Sequence, residues 1–448
     1  MADDQTADRR TKVLAWGSNL FDQIPRDKDD GTSQSSILQD AASVVAVCTY
    51  QTVCRSKSGK IKAYGEAPSL VEKACRDLLQ DTKVDDRLVF VGHDIFEAIL
   101  DVKSDRCCFL RYAEDDEEEG GRYEMIEGCG WETAAVDGRG RCMALDLEGR
   151  VYLFDSVAMF RITTGQSEAA ITAREAARFT AHPCAEGSPA KEAKAPAPLP
   201  KFDKISAGNA HFALLSHSSR TPSPVWIFGD ARFGAIPMQP FSHTTLVGKL
   251  PLTKAKGKSP SSDLPTTDVR YLMPVPYFSP HEGFPSRIAN ISAGSRHNLV
   301  LTSGGDLYGW GWNEDSPLLP FDSSPTNQGW DTNIVSEPTL IPLPSAPKDE
   351  LSLTAIAASN GRSFGITTEG QLVIAGSNEF GCLGLDKDLG GAEKKPRFER
   401  EFSQIKKEYE CVNGWQVHPS WKEGEEIRRV MRVDATMLAT FITVETTA

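Results

Sequence analysis

Two stretches of this chain are copies of one another. Ile291-Ser-Ala-Gly-Ser-Arg-His-Asn-Leu-Val-Leu, which runs on to Gly311, aligns on Ile205-Ser-Ala-Gly-Asn-Ala-His-Phe-Ala-Leu-Leu215, so that Gly294 and His297 fall on Gly208 and His211. A weaker copy passes from Ile356 through Ser359, Arg362 and Phe364 to Gly370 and Gly376. The turn glycine fixes the register: Gly305 lies eleven residues after Gly294 and Gly149 eleven after Gly138, and the same offset back from Gly370 and Gly59 marks Ser359 and Cys48. Alternating apolar positions, Leu299/Leu301 and Val151/Leu153, fit half-buried strands of period two, and the glycines supply turns. One such unit cannot bury its own apolar face, so the units must stack.

Counting anchors gives the size of the stack. Cys48, Gly138, Gly208, Gly294, Ser359 and Ala435 occupy the same repeat position, and the wide gap between Cys48 and Gly138 leaves room for a seventh at Gly92. The chain opens with Val13-Leu-Ala-Trp-Gly-Ser-Asn19, the second half of a unit, and its last strand-like stretch, Phe441-Ile-Thr-Val444, is a first half. Joined, they complete one unit, and a ring closed in this way leaves no open sheet edge. The fold expected is an all-β, seven-bladed β-propeller over 12–446, closed by pairing of its N- and C-terminal strands. Residues 1–11 are expected to be a disordered N-terminus.

The glycines, the paired histidines and the stretch Leu307-Tyr-Gly-Trp-Gly-Trp-Asn313 resemble the regulator of chromosome condensation family of seven-bladed propellers. The single-propeller members of the fungal alpha-tubulin suppressor type are the most similar in style. Family repeats follow Trp-Gly with Asn-x-x-Gly-Gln-Leu-Gly; Asn378-Glu-Phe-Gly-Cys-Leu-Gly384 keeps this, whereas the stretches after Asn313 and Asn19 read as eroded. The resemblance implies a non-enzymatic protein-protein interaction platform or, in the manner of the founding member, a guanine-nucleotide exchange factor for a Ran-like small GTPase. The partner expected is a protein, a small GTPase or a small regulatory protein, met by a monomer.

Composition bears on what else the ring can do. A formal charge of −13 argues against a surface built to neutralise phosphates, so no direct nucleic-acid contact is expected. No apolar run reaches the ~18 residues that span a bilayer, and the N-terminus has no secretory core. A soluble protein of the cytoplasm or nucleus is expected. Ten cysteines lie scattered without a C-x-x-C, which reads as buried free thiols and neither a disulfide framework nor a metal site.

Long insertions are expected at 156–200, 235–287 and 386–428. The first contains an Ala-rich stretch, Glu168 to Phe179, that can be helical before the Pro-rich residues 187–200; the second carries a Lys- and Ser-rich tip at 254–262. The acidic run 114–119 reads as a solvated loop. Gly257-Lys258-Ser259 lacks the first glycine of a phosphate-binding loop, and the single Trp330-Asp331 does not recur.

No catalytic set, cofactor or metal site emerges from the sequence. His93 and Asp94 are adjacent and, on an extended strand, point apart. His211 and His297 share their column with Gln51, Arg141 and Arg362, a mixture that suits a hydrogen-bonding slot and not a metal site. Gly138, Gly208, His211, Gly294, His297, Gly305 and Gly370 are the structural repeat positions. The turns after each anchor emerge on one face around the channel, and Arg139, Arg141, Asn209, Arg296 and Arg362 are the partner-binding residues expected there.

Overall fold

A computed structural model describes residues 10–20, 22–24, 36–38, 40–79, 88–113, 121–183, 198–217, 223–237, 246–249, 268–320, 333–344, 351–385, 393–396, 408–419 and 427–446. These form seven antiparallel sheets arranged as the blades of a propeller.

Blade 1 consists of Ala41–Val47, Gln51–Ser56 and Ile61–Gly65, and blade 2 of Leu88–Val91, Ala98–Asp101, Arg106–Arg111 and Arg122–Glu127. Blade 3 has three strands, Trp131–Val136, Cys142–Asp146 and Val151–Phe154. Blade 4 begins Lys204–Ala207, His211–Leu215, Val225–Asp230, blade 5 Ile288–Ala293, His297–Thr302, Leu307–Trp312, and blade 6 Leu353–Ser359, Arg362–Thr367, Leu372–Ser377.

Blade 7 closes the ring. Ile427–Ala435 and Ala439–Thr446 come from one end of the chain, and Arg10–Gly17 from the other pairs with Ala439–Thr446 over eight residues, from Arg10 opposite Thr446 to Gly17 opposite Ala439. Pairing therefore reaches Arg10 and Thr11, which the sequence had left in the unstructured N-terminus; residues 1–9 lie outside the described residues.

Each expected insertion contributes ordered elements. Within 156–200 lie α2 (Val157–Ile162), α3 (Glu168–Ala176) and a strand, Thr180–Pro183; within 235–287, Asp268–Pro274 is the fourth strand of blade 4 and Leu246–Lys249 pairs beyond it; within 386–428, Glu408–Val417 is the fourth strand of blade 6. Ser167 caps α3 by accepting the Ala170 N–H at 3.1 Å. Residues 187–197, 254–262, 114–119 and 330–331 lie outside the described residues. A third helix, α1 (Pro68–Leu79), follows the three strands of blade 1 and buries Leu70, Val71, Ala74, Cys75, Leu78 and Leu79, one face at helical spacing.

The core is a chain of clusters between blades. Phe212, Leu214 and Trp226 of blade 4 pack with Met143 and Leu145 of blade 3; Leu299 and Trp310 of blade 5 pack with Val225 and Ile227 of blade 4; Phe364 and Ile374 of blade 6 pack with Ile442 and Val444 of blade 7. Val13, Ala15 and Phe441 of blade 7 pack with Val44 and Cys54 of blade 1 and complete the circuit. The nine cysteines among the described residues are free and buried; burial pushes the thiol of Cys54 up to about 12. Among the described residues no helix is long and apolar enough to cross a membrane.

Candidate functional site at the mouth of the channel

Six of the seven anchors meet at one place. Cys48, Gly92, Gly208, Gly294, Ser359 and Ala435 line a depression of about 520 Å³ where the turns between first and second strands converge on the ring axis. Gly138 stands beside them through its N–H, which donates to the Gly208 carbonyl at 3.2 Å. The same rule continues round the ring, with Asn209 N–H on the Ser295 carbonyl at 3.0 Å and Ser295 N–H on the Ser359 carbonyl at 3.2 Å. Glycine is required at Gly294 because a Cβ there would lie 2.6 Å from the Ser359 carbonyl oxygen. Gly305 and Gly370 serve the opposite face: both have positive φ, 93° and 82°, and their carbonyls accept from Leu353 and Val430 of the next blade.

In five of the blades the third residue after the anchor turns inward and grips the next blade. His211 Nε2 meets Asn298 Oδ1 at 3.0 Å, and His297 Nε2 meets Ser363 Oγ at 3.0 Å. Burial holds these imidazoles neutral, His211 down at about 4 and His297 at about 3. Gln51 plays the part in blade 1, accepting from the Phe96 N–H at 2.6 Å. Arg141 donates to the Ala210 carbonyl at 2.9 Å and pairs with Asp137 at 2.7 Å, its guanidinium over the rings of Phe212 and Phe228. Arg362 is fully buried and donates to the carbonyls of Asn360 and Met437.

This changes the arginine ring expected from the sequence. Arg362 and Arg141 are blade-to-blade ties: the first is enclosed and the second is closed in by Asp137 and two aromatic rings, so neither presents a docking side chain. Arg139 is partly exposed and ion-paired with Asp230, which also holds Arg232. Burial opposes ionisation of Asp230, but the bonds from Arg232 and the charge of Arg139 keep its carboxyl below the usual range. Asn209 is exposed on the mouth. Arg296 is half-buried, also lines the mouth, and stacks on Phe233 with 4.1 Å between guanidinium carbon and ring centroid.

The first residue after the anchor makes the inner lining. Thr49, His93, Asn209, Ser295, Asn360 and Thr436 give a ring of mostly small polar groups. His93 and Asp94 do not point apart as an extended strand would require. They sit in a bend, Nδ1 to Oδ1 at 3.0 Å. Among the described residues no group of three or more His, Cys, Asp or Glu side chains is placed to hold a metal ion.

Sequence reasoning missed the outer rim. After the third strand of blades 4 and 6 the chain turns over the next blade, and in each case a phenylalanine four residues beyond the glycine, Phe233 after Gly229 and Phe380 after Gly376, takes positive φ, 67° and 61°. Phe233 meets Trp312 edge-on at 5.2 Å. Phe380 and Met437 are each 48% exposed, and Leu20 is 73% exposed on the matching turn of blade 7. The two tails that read as eroded keep the asparagine's role seen in the intact one: Asn313 Oδ1 accepts from Leu318 and Leu319 and Asn19 Oδ1 from Ile24, as Asn378 Oδ1 does from Leu383.

The repeat itself has a match. The profile described as the regulator of chromosome condensation (RCC1) repeat fits residues 288–316, the first three strands of blade 5 and their tail. The Regulator of chromosome condensation of Drosophila melanogaster is 33% identical over 112 residues, 25% of this chain and 18% of that protein. An RCC1 repeat-containing protein of Dictyostelium discoideum is 30% identical over 102 residues, 23% of this chain and 20% of that one. The aligned stretches thus span about a fifth of each relative.

Among solved structures, yeast RCC1 (Prp20) bound to Kap60 superposes with a TM-score of 0.60 at 13% identity, over 99% of this chain and 90% of that one. This chain carries one recognisable RCC1 repeat in blade 5 and shares the propeller fold of yeast RCC1. A second structure of Prp20p from Saccharomyces cerevisiae, described with its binding to Gsp1p and histones, gives 0.59 at 13% identity over 99% and 93%. Human WBSCR16 gives 0.53 at 11% over 98% and 100%. At these identities the structures share with this chain its fold.

Proposed function

We propose that the protein is a non-enzymatic interaction platform that receives a protein partner on the rim of the channel mouth. The observation that carries this is the rim itself, where Met437 on the lining and Phe380, next to the lining residue Glu379, hold apolar side chains out to solvent beside a polar depression. Exposed apolar groups beside polar ones, on turns fixed by a rigid ring, are the ingredients of a protein interface. The RCC1-type architecture supports a protein-interaction role. Replacing Phe380 and Met437 together by aspartate is expected to abolish partner capture and to leave the melting temperature unchanged; a capture profile identical to the parent chain refutes the rim.

The fold shared with Prp20, described as binding Gsp1p, favours a second reading as an exchange factor for a Ran-like GTPase. The two separate in one assay. A Ran-type GTPase loaded with fluorescent GDP is expected to release nucleotide at its intrinsic rate when the protein is added in equal amount. Acceleration by orders of magnitude at substoichiometric amounts establishes exchange instead.

A further inference from the structure

We propose that the channel mouth receives a single aspartate or glutamate side chain from an extended partner segment, with Arg296 as the group that contacts it. The inference rests on the platform reading and narrows it to one chemistry.

The argument is a contrast among arginines. On blades 3 and 4 each arginine near the mouth has an aspartate: Arg139 and Arg232 share Asp230, and Arg141 has Asp137. On blades 5 and 6 neither has one. Among the described residues the Arg296 guanidinium makes no hydrogen bond or ion pair; its one side-chain contact is the Phe233 ring beneath it. A ring 4.1 Å from the guanidinium carbon covers one side of the cation and takes up none of its N–H donors, which arginine can offer to a carboxylate as two parallel bonds. In a chain of formal charge −13, an arginine left without a carboxylate at a concave site is a cation with its counter-charge still to come.

Arg362 strengthens the field from below. It is fully buried, its bonds go to the carbonyls of Asn360 and Met437, both on the mouth, and its Nη1 has no partner. A guanidinium enclosed in protein is weakly screened, so its positive potential reaches the depression with more effect than a surface charge has. Arg362 is thus a positioning residue for the anion.

Asp315 and Glu379 line the same mouth. They set the limit on what enters: a run of acidic residues meets their repulsion, whereas one carboxylate aimed at Arg296 with basic or apolar neighbours does not. Phe380 and Met437 offer those apolar neighbours a seat on the rim. A depression of about 520 Å³ admits a few side chains and no helix or domain, hence an extended segment.

The test is selection of random linear peptides displayed on phage against the full chain, in internal and free-C-terminal formats. The expected result is enrichment of internal sequences with one aspartate or glutamate. Arg296→Gln, or glutamine in place of the peptide's acid, then weakens binding by about 30-fold or more. The two changes together are expected to add nothing further, Arg296→Lys to fall between, and Leu147→Ser on the opposite face to match the parent chain. Enriched sequences without an acidic residue, or binding that survives Arg296→Gln, overturn the inference and leave the platform standing. Enrichment confined to free C-terminal carboxylates also overturns it. If no sequence is enriched the inference falls, and the platform is judged separately by capture with the Phe380 and Met437 variant.

Discussion

Blades 5 and 6 and blades 1 to 3 do the same mechanical work with different residues. In blade 5 the repeat is written out in full: Gly294 lies against the Ser359 carbonyl, His297 reaches Ser363, and the Trp310 indole donates to the Ala235 carbonyl of the preceding blade at 3.0 Å. In blade 1 the anchor is Cys48, the tie is Gln51 reaching Phe96, and a helix stands after the third strand. What is held constant is the sense of the connection, each blade bonded to the next at one radius. The lesson is that a ring can lose its signature residue by residue while the tie between neighbours is kept, as in blades 1 and 3, by a substitute of similar reach.

The hardest way to break the comparison is to remove the seam common to both halves. Deleting 10–17 takes Val13, Leu14, Ala15 and Trp16 out of the core and bares an edge on Ala439–Thr446. At about 2 kcal/mol for each large apolar side chain the loss is on the order of 6 kcal/mol, and the product is expected to be insoluble or strongly destabilised. Gel filtration and a thermal melt decide; a soluble ring with the parent melting temperature refutes closure.

Next comes the arginine pair on one turn of blade 3. Arg141→Ala strands Asp137, whose carboxyl burial pushes upward against the pull of Arg141, and is expected to cost about 3–5 kcal/mol in urea unfolding. Arg139→Ala, two residues away, breaks a partly exposed pair and is expected to cost less than about 1 kcal/mol.

Two glycines sharpen the contrast between halves. Gly294→Ala drives a methyl into backbone and is expected to cost at least about 3 kcal/mol, while Gly140→Ala meets open space and costs only its positive φ, about 1 kcal/mol. Equal losses would mean that close approach is not what the anchor glycine provides.

The effect that depends most on pH is modest at neutral pH. His297→Gln gives blade 5 the side chain that blade 1 already uses, and is expected to cost about 1–2 kcal/mol at pH 7. His211, His297 and His418 are held by burial at about 4, 3 and 4. The unfolded chain therefore binds more protons than the folded one below about pH 6.5, the ordinary histidine value. Stability is full above that pH and falls toward pH 4, by roughly 1.4 kcal/mol per pH unit for each histidine. The glutamine variant is expected to show a shallower fall between pH 6.5 and 4, by the share of one histidine. An unchanged slope would show that His297 is charged in the folded ring.

The shared column was legible because Gly208 and Gly294 lie against backbone of the next blade, and the blade count and split blade followed from the spacing set by that column. The fate of the arginines was legible too, had the column been followed: Arg141 and Arg362 stand where His211 and His297 stand, three residues past the anchor, and that column faces the next blade, whereas Arg296 stands two past it and faces the mouth. α1 left the spacing of Leu70, Val71, Ala74, Cys75 and Leu78 as its signal. The rim phenylalanines left a common offset from Gly229 and Gly376. What no spacing conveys is partnership: Asp230 serving Arg139 from ninety-one residues away, and no carboxylate among the described residues serving Arg296, are facts of the folded ring alone.

The pairing of Arg10–Gly17 with Ala439–Thr446 also sets a timetable. The first of these strands is synthesised long before its partner, and at ~5–20 residues per second the interval between them is on the order of a minute. Through that time Val13, Leu14 and Trp16 belong to an unpaired edge. Such an edge is a template for any other nascent chain nearby. The newborn protein, more than the finished one, is therefore where chaperones would be needed, and slowing the ribosome between the two strands should lower the yield of soluble rings before it alters any property of those that close.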